Sequence, residues 1–122
     1  MWPEGRLRKD SEFEAVRRRG RSWGSDLLVL RTLSNGLPYS RLGYLVSKRI
    51  GRAVTRNRVR RRMREAVRLT GVAPGWDLVI IARPGVAQAP YTRIAQTIHE
   101  LLRRARALGD GRSEGTAKRE RA

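Results

Sequence analysis

Between Lys48 and Arg64 the chain carries nine Lys or Arg and no Asp or Glu. The chemistry such a run offers is anion binding. Each guanidinium presents a planar five-donor fork that matches phosphate oxygens and guanine edges. Asn57, between Arg56 and Arg58, adds an amide that donates and accepts together, as base-edge or ribose contacts require. A run of like charge is ordinarily a disordered tail, and a solvated helix face is the plain alternative. Against both stand the apolar residues inside it, Val59, Met63, Ala66 and Val67. Catalytic side chains are thinly represented elsewhere. The one histidine, His99, falls in a helical stretch, and no pair of acidic residues has the spacing of a glycosidase or a two-metal site. No Gly-rich phosphate loop precedes a helix, no base stands out to activate a Ser or Thr, and there is no cysteine. No catalytic residue and no metal-ligand set are expected in this chain.

The elements that must hold the basic run can be read from periodicity. Val59, Met63, Ala66, Val67 and Thr70 recur at steps of three and four, one narrow stripe of a helix spanning about 52–69. Asn57, Arg60, Arg61, Arg64 and Arg68 recur likewise on another face, so packing of the stripe offsets repulsion among the arginines. Upstream, "DSEFEAVRRRG" opens with a capping-box pattern of Ser11 and Glu14 and closes on Gly20. "DLLVLRTL" (26–33) and the alternating "SRLGYLVS" (40–47), joined by "SNGLPYS", read as an antiparallel hairpin. The continuous apolar run Leu78–Ala82 is the mark of a strand covered on both faces. A last helix starts near Pro90, with a stripe of Ile94, Ile98, Leu101, Leu102, Ala105 and Leu108, and Gly109 is placed to close it. Residues 1–9 read as an irregular basic arm. Residues 110–122 lack large apolar groups and are expected to be a disordered tail. The class is α/β, an α+β sandwich: three helices and a small mixed sheet, in the order α-β-β(-β)-α-β-α, in one domain over 1–109.

Composition points the same way. The chain has 122 residues and a net charge of +17, and a polyanion is the partner that relieves such self-repulsion. Of its 28 basic residues only Lys9, Lys48 and Lys118 are lysine; selection for guanidinium and a GC-rich coding sequence both give that bias. No stretch approaches the ~20 apolar residues of a membrane span. The N-terminal "MWPEGRLRKDSEFE" lacks the apolar core of a signal peptide. A soluble chain of the cytoplasm is expected. Among the aromatics, Phe13 suits either the core or a base, and Trp76 reads as core.

The stretch "RLGYLVSKRIGRAVTRNRVRRRMREAVR" (41–68) resembles the bacterial ribonuclease P protein component. The likeness centres on that family's R-N-R signature, here Arg56-Asn57-Arg58, and extends to "RLRKDSEFEAVRRRGRS" and "WDLVIIARPG", covering about residues 6–108. It implies the small subunit of a ribonucleoprotein whose RNA, with Mg²⁺, removes the 5′ leader of precursor tRNA. It implies contact with the catalytic RNA through Arg56, Asn57, Arg58, Arg60, Arg61 and Arg64, extended by Lys48, Arg49 and Arg52. It places the leader in a cleft between the first helix and the sheet, where Phe13 matches a family aromatic. Arg17 and Arg31 stand where relatives often carry further aromatics, so guanidinium contacts are expected to replace part of the stacking. It also implies a left-handed β-α-β crossover, overruling the right-handed default. Neither membrane nor obligate protein partner is expected. Composition alone would equally allow a ribosomal or general nucleic-acid-binding protein.

Overall fold

The computed structural model describes residues 5–109. The expectations for the tail at 110–122 and for the first four residues lie outside the described residues. In chain order the elements are β1 (Gly5–Arg6), α1 (Asp10–Arg19), β2 (Arg21–Gly24), β3 (Leu28–Ser34), β4 (Arg41–Leu45), α2 (Ala53–Thr70), β5 (Trp76–Ala82) and α3 (Tyr91–Arg104). Short 3-10 turns at Lys48–Ile50 and Val86–Gln88 lead into α2 and α3. The three helices and the mixed sheet of an α+β fold are those the periodicities call for.

The strands lie in the order β1-β4-β5-β3-β2. The apolar run of β5 takes the centre, antiparallel to β3 and parallel to β4. The expected hairpin between the segments at 26–33 and 40–47 is therefore not formed, because β5 lies between them. Leu78–Ala82 can be covered on both edges and both faces only from the centre. The turn residues redirect the chain instead of closing a hairpin. Asn35 Oδ1 accepts from the Leu37 amide at 2.7 Å, and the Asn35 amide donates to Gly75 at 2.9 Å, ahead of β5. The parallel pair β4 and β5 is joined through α2.

Alternation along the strands sorts side chains between two unequal layers. Leu28, Leu30, Leu42, Leu78 and Ile80 face α2 and α3, where Val59, Met63, Ala66, Val67, Ile94, Ile98, Leu101 and Leu102 complete the main core. Each such fully buried side chain is worth roughly 1.5–3 kcal/mol. The other face carries only α1, over a small cluster of Leu7, Val16 and Val79 flanked by half-buried Phe13, Leu33 and Ile81. One helix of ten residues cannot cover that face, and the uncovered part is a groove.

Three local expectations are corrected. The cap of α1 is at Lys9, and it is Glu12, not Glu14, whose carboxylate accepts the Arg8 and Lys9 amides, at 2.8 and 3.1 Å. Glu12 also pairs with Arg41, which fixes the helix start ahead of Ser11 and leaves Glu14 to pair with Arg17. Helix α3 stops at Arg104, before Gly109, and Arg106 takes the left-handed conformation with φ 59°. Leu108 then bridges back to Val72. Gly109 lies so close that an added Cβ would stand 2.8 Å from the Val72 backbone, so close approach, not capping, requires glycine there. Finally, β1 and β2 are additional strands. They are too short, at two and four residues, for an alternating pattern.

Candidate nucleic-acid interface

Helix α2 buries Val59, Met63, Ala66 and Val67, the stripe its periodicity marks. The remaining positions divide into an outer ridge and two flanks. Asn57, Arg61, Arg64 and Arg68 are exposed. Arg60 donates to Asn57 Oδ1 at 3.1 Å, so the exposed amide of the R-N-R signature is oriented by its own helix. Arg56 is half-buried and its Nε donates to the Gly51 carbonyl at 3.1 Å, tying the helix to the turn before it. Arg58 is also half-buried. It is two residues from Arg56, about 200° around the axis, so the two arginines of the signature lie on different flanks. Arg62, which the sequence reading left out of the site, is half-buried and reaches the Ala89 carbonyl at 3.4 Å. Arg64 places its guanidinium over the Tyr44 ring, 5.7 Å from the centroid.

Lys48, Arg49 and Arg52 are exposed on the turn and cap that enter α2. The first turn of α2 holds no acid, and Arg52 is its N-cap. Cations at the positive end of a helix dipole are unfavourable by roughly 0.3–1 kcal/mol each, and an anionic partner reverses the sign. Helix α1 shows the ordinary arrangement, with Asp10 and Glu12 in its first turn and Arg17, Arg18 and Arg19 in its last.

Phe13, Arg17 and Arg31, distant in sequence, line one groove of about 300 Å³ between α1 and the open sheet face. Asp10, Glu14 and Val16 of α1, Leu45 of β4, and Val79 and Ile81 of β5 complete its lining. Phe13 is partly core and partly groove wall. Its ring lies against Gly43 so closely that an added Cβ would stand 2.4 Å away, while the residue as a whole is only half-buried. Arg31 points away from Leu28 and Leu30 and donates to the Arg17 carbonyl near the end of α1. Arg17 is exposed and ion-paired with Glu14. That hydrogen-bonded pairing raises the guanidinium pKa and lowers the carboxyl pKa.

A polar network unforeseen in the sequence holds α1 over this groove. Arg41 Nε and Nη2 donate to the buried Asp77 at 2.8 and 2.7 Å, and its Nη1 donates to Glu12 at 2.9 Å. Asn35 Nδ2 donates to Asp77 at 2.9 Å. The hydrogen bond to Asp77 is the main cause of the raised Arg41 pKa. The Arg8 and Lys9 amides, more than Arg41, hold Glu12 below its ordinary value. His99 is exposed on α3. Among the described residues no group of three or more His, Cys, Asp or Glu could hold a metal ion, and no helix is long and apolar enough to cross a membrane.

Comparison with known proteins decides the family. The sequence model of the Ribonuclease P family matches residues 1–106. The chain belongs to the ribonuclease P protein family. It is 47% identical over 103 residues to the ribonuclease P protein component of Roseiflexus castenholzii, covering 82% of this chain and 84% of that one. It is 44% identical over 101 residues to that of Clostridioides difficile, covering 80% and 89%. The solved RNase P protein of Staphylococcus aureus superposes with a TM-score of 0.78 at 27% identity, over 85% of this chain and 97% of its own. That of Thermotoga maritima gives 0.75 at 30% identity, over 81% and 96%. Family membership makes the chain a subunit of the ribonucleoprotein endoribonuclease that matures tRNA 5′ ends, associated with that enzyme's RNA.

Proposed function

We propose that this chain is the RNA-binding, non-catalytic part of ribonuclease P, with two surfaces for two RNAs. The α2 surface, with Lys48, Arg49, Arg52, Arg56, Asn57, Arg58, Arg60, Arg61 and Arg64, docks on the catalytic RNA. The groove of Phe13, Arg17 and Arg31 takes the 5′ leader of precursor tRNA. The observation that carries this reading is the convergence of those three residues on one groove between α1 and the sheet, in a chain that also carries the arginine helix. A single strand presents bases to stack and phosphates to neutralise, and an aromatic ring between guanidiniums serves both. The protein's contribution is to grip and orient the substrate, so that the scissile phosphodiester meets the RNA active site as a positioned group.

The resemblance also calls for Mg²⁺. The described residues provide no cluster of carboxylates to hold it, so the ion is assigned to the RNA and no step of the protein's action runs through it. The chain works in the cytoplasm and needs no obligate protein partner in this reading. Cleavage of precursor tRNA at low Mg²⁺ tests it, with chain alone, catalytic RNA alone, and both together. Efficient cleavage only in the combined arm is expected. Cleavage by the chain alone would overturn the non-catalytic assignment. Equal cleavage with and without the chain would leave a general nucleic-acid binder.

A further inference from the structure

A second groove lies on the other side of Phe13. It has about 270 Å³ of space and is lined by Arg6 of β1, Phe13 of α1, Tyr44 of β4, and Arg60 and Arg64 of α2, with no acidic residue in its lining. It exists because β1 is so short. The β1 pairing with β4 covers only Arg41 and Leu42, and the edge of β4 beyond them borders open space between α1 and α2. Phe13, pressed on Gly43, separates this groove from the one assigned to the leader. Arg60 and Arg64, by contrast, belong to the same helix as the outer arginine ridge, so the groove is continuous with the docking surface of α2.

We propose that this second groove is a subsite for one unpaired nucleotide of the catalytic RNA, inserted beside the docked helix. The size suits no more than a single nucleotide, being just under the ~300–1,000 Å³ of ligand pockets, and excludes a duplex. The chemistry fits as well. The Tyr44 ring, with the Arg64 guanidinium 5.7 Å from its centroid, offers an aromatic and cationic platform for a base. Arg6 is exposed at the mouth, where it meets the phosphate. Arg60 is oriented by Asn57 Oδ1 at 3.1 Å, which links the groove to the R-N-R signature. The subsite makes the protein's hold on the RNA depend on an unpaired position as well as on backbone charge. It rests on the reading that α2 docks on the catalytic RNA.

The test uses the full chain and the full catalytic RNA. Arg6→Ala removes an exposed side chain, and Tyr44→Leu keeps an apolar group against the core while removing the ring. Each variant is expected to weaken RNA affinity about fivefold or more, Tyr44→Leu through one lost base stack and Arg6→Ala through one lost charge-assisted phosphate contact. Base-specific chemical modification of the complex should show one unpaired nucleotide that the parent chain protects and Tyr44→Leu exposes. The ratio of precursor to mature tRNA affinity should not change. Affinities within about twofold of the parent for Arg6→Ala, with an unaltered modification pattern, overturn the proposal; should Tyr44→Leu unfold, Arg6→Ala decides alone. A fallen precursor ratio with intact catalytic RNA affinity also overturns it, placing the leader in this groove. Arg61→Ala, on the outer ridge, separates the two levels of the argument. If it weakens RNA binding while the groove variants do not, the subsite alone is rejected. If it too is silent, the docking role of α2 falls with it.

Discussion

Replacing Phe13 separates its two roles. The side chain is half-buried, with one part of the ring against Gly43 and Leu7 and the rest facing the groove of Arg17 and Arg31. A fully buried Phe→Ala costs ~3–5 kcal/mol; at half burial the stability loss should be about 2 kcal/mol. Loss of one base stack costs a further ~1–3 kcal/mol, but in binding, and only for RNA that carries a leader. Phe13→Ala should therefore lower the melting temperature and also reduce the ratio of precursor to mature tRNA affinity about five- to 100-fold. Phe13→Leu refills most of the packing but has no aromatic face, so it should recover most of the stability and little of the ratio. Both quantities are measured on the reconstituted complex, with a leader several nucleotides long, alongside thermal unfolding of the free chain. A lowered melting temperature with an unchanged ratio in both variants would refute the leader contact and leave Phe13 a core residue.

Three further outcomes follow. Arg41→Ala leaves Asp77 buried with only Asn35 of its present side-chain partners. Breaking such a pair costs about 3–5 kcal/mol, which thermal unfolding should show as a fall of more than about 10 °C, and a fall of a degree or two would contradict the network. Glu12 is held below its ordinary value of 4.5, first by the Arg8 and Lys9 amides. Its stabilising contribution is therefore full above that value and is lost as pH falls through the lower folded-state value. The stability gap between the parent and Glu12→Gln should shrink below about pH 4.5, and a constant gap in acid urea titrations would be inconsistent with it. Binding to the catalytic RNA should weaken steeply with salt, each neutralised phosphate contributing a log–log slope of about −0.7 to −0.9, and salt-insensitive affinity would exclude an interface built on α2.

What could be read in advance depended on the range of the interactions. Val59, Met63, Ala66 and Val67 announce α2 because a helix stripe is a local pattern, and Leu78–Ala82 announces a central strand because full burial needs no partner to be named. The partner itself was not legible. Nothing near 26–47 says that β5, some forty residues on, will part β3 from β4, because strand pairing is decided by distant burial. The α1 cap moved for the same reason, since Glu12 is held by Arg41, 29 positions away in the sequence. Asp77 and Arg41 are 36 apart, and no periodicity links a single acid to a single base. In the site, the spacing of Phe13 and Arg17 puts them on one helix face, and alternation turns Arg31 away from Leu28 and Leu30. That they share one groove is a fact of topology. Arg62 and Tyr44 carry no assignment to a site in the sequence because what distinguishes them, the Ala89 carbonyl and the Arg64 guanidinium, lies on other elements or turns.

The division of labour between the two surfaces is tested most directly by site-specific photocrosslinking. A photoreactive phenylalanine replaces Arg17 in one chain and Arg61 in another, both exposed positions, and each chain is assembled with catalytic RNA and leader-bearing precursor tRNA. Position 17 should crosslink to the 5′ leader and position 61 to the catalytic RNA. Leader crosslinks from position 61, or none from position 17, would contradict the account.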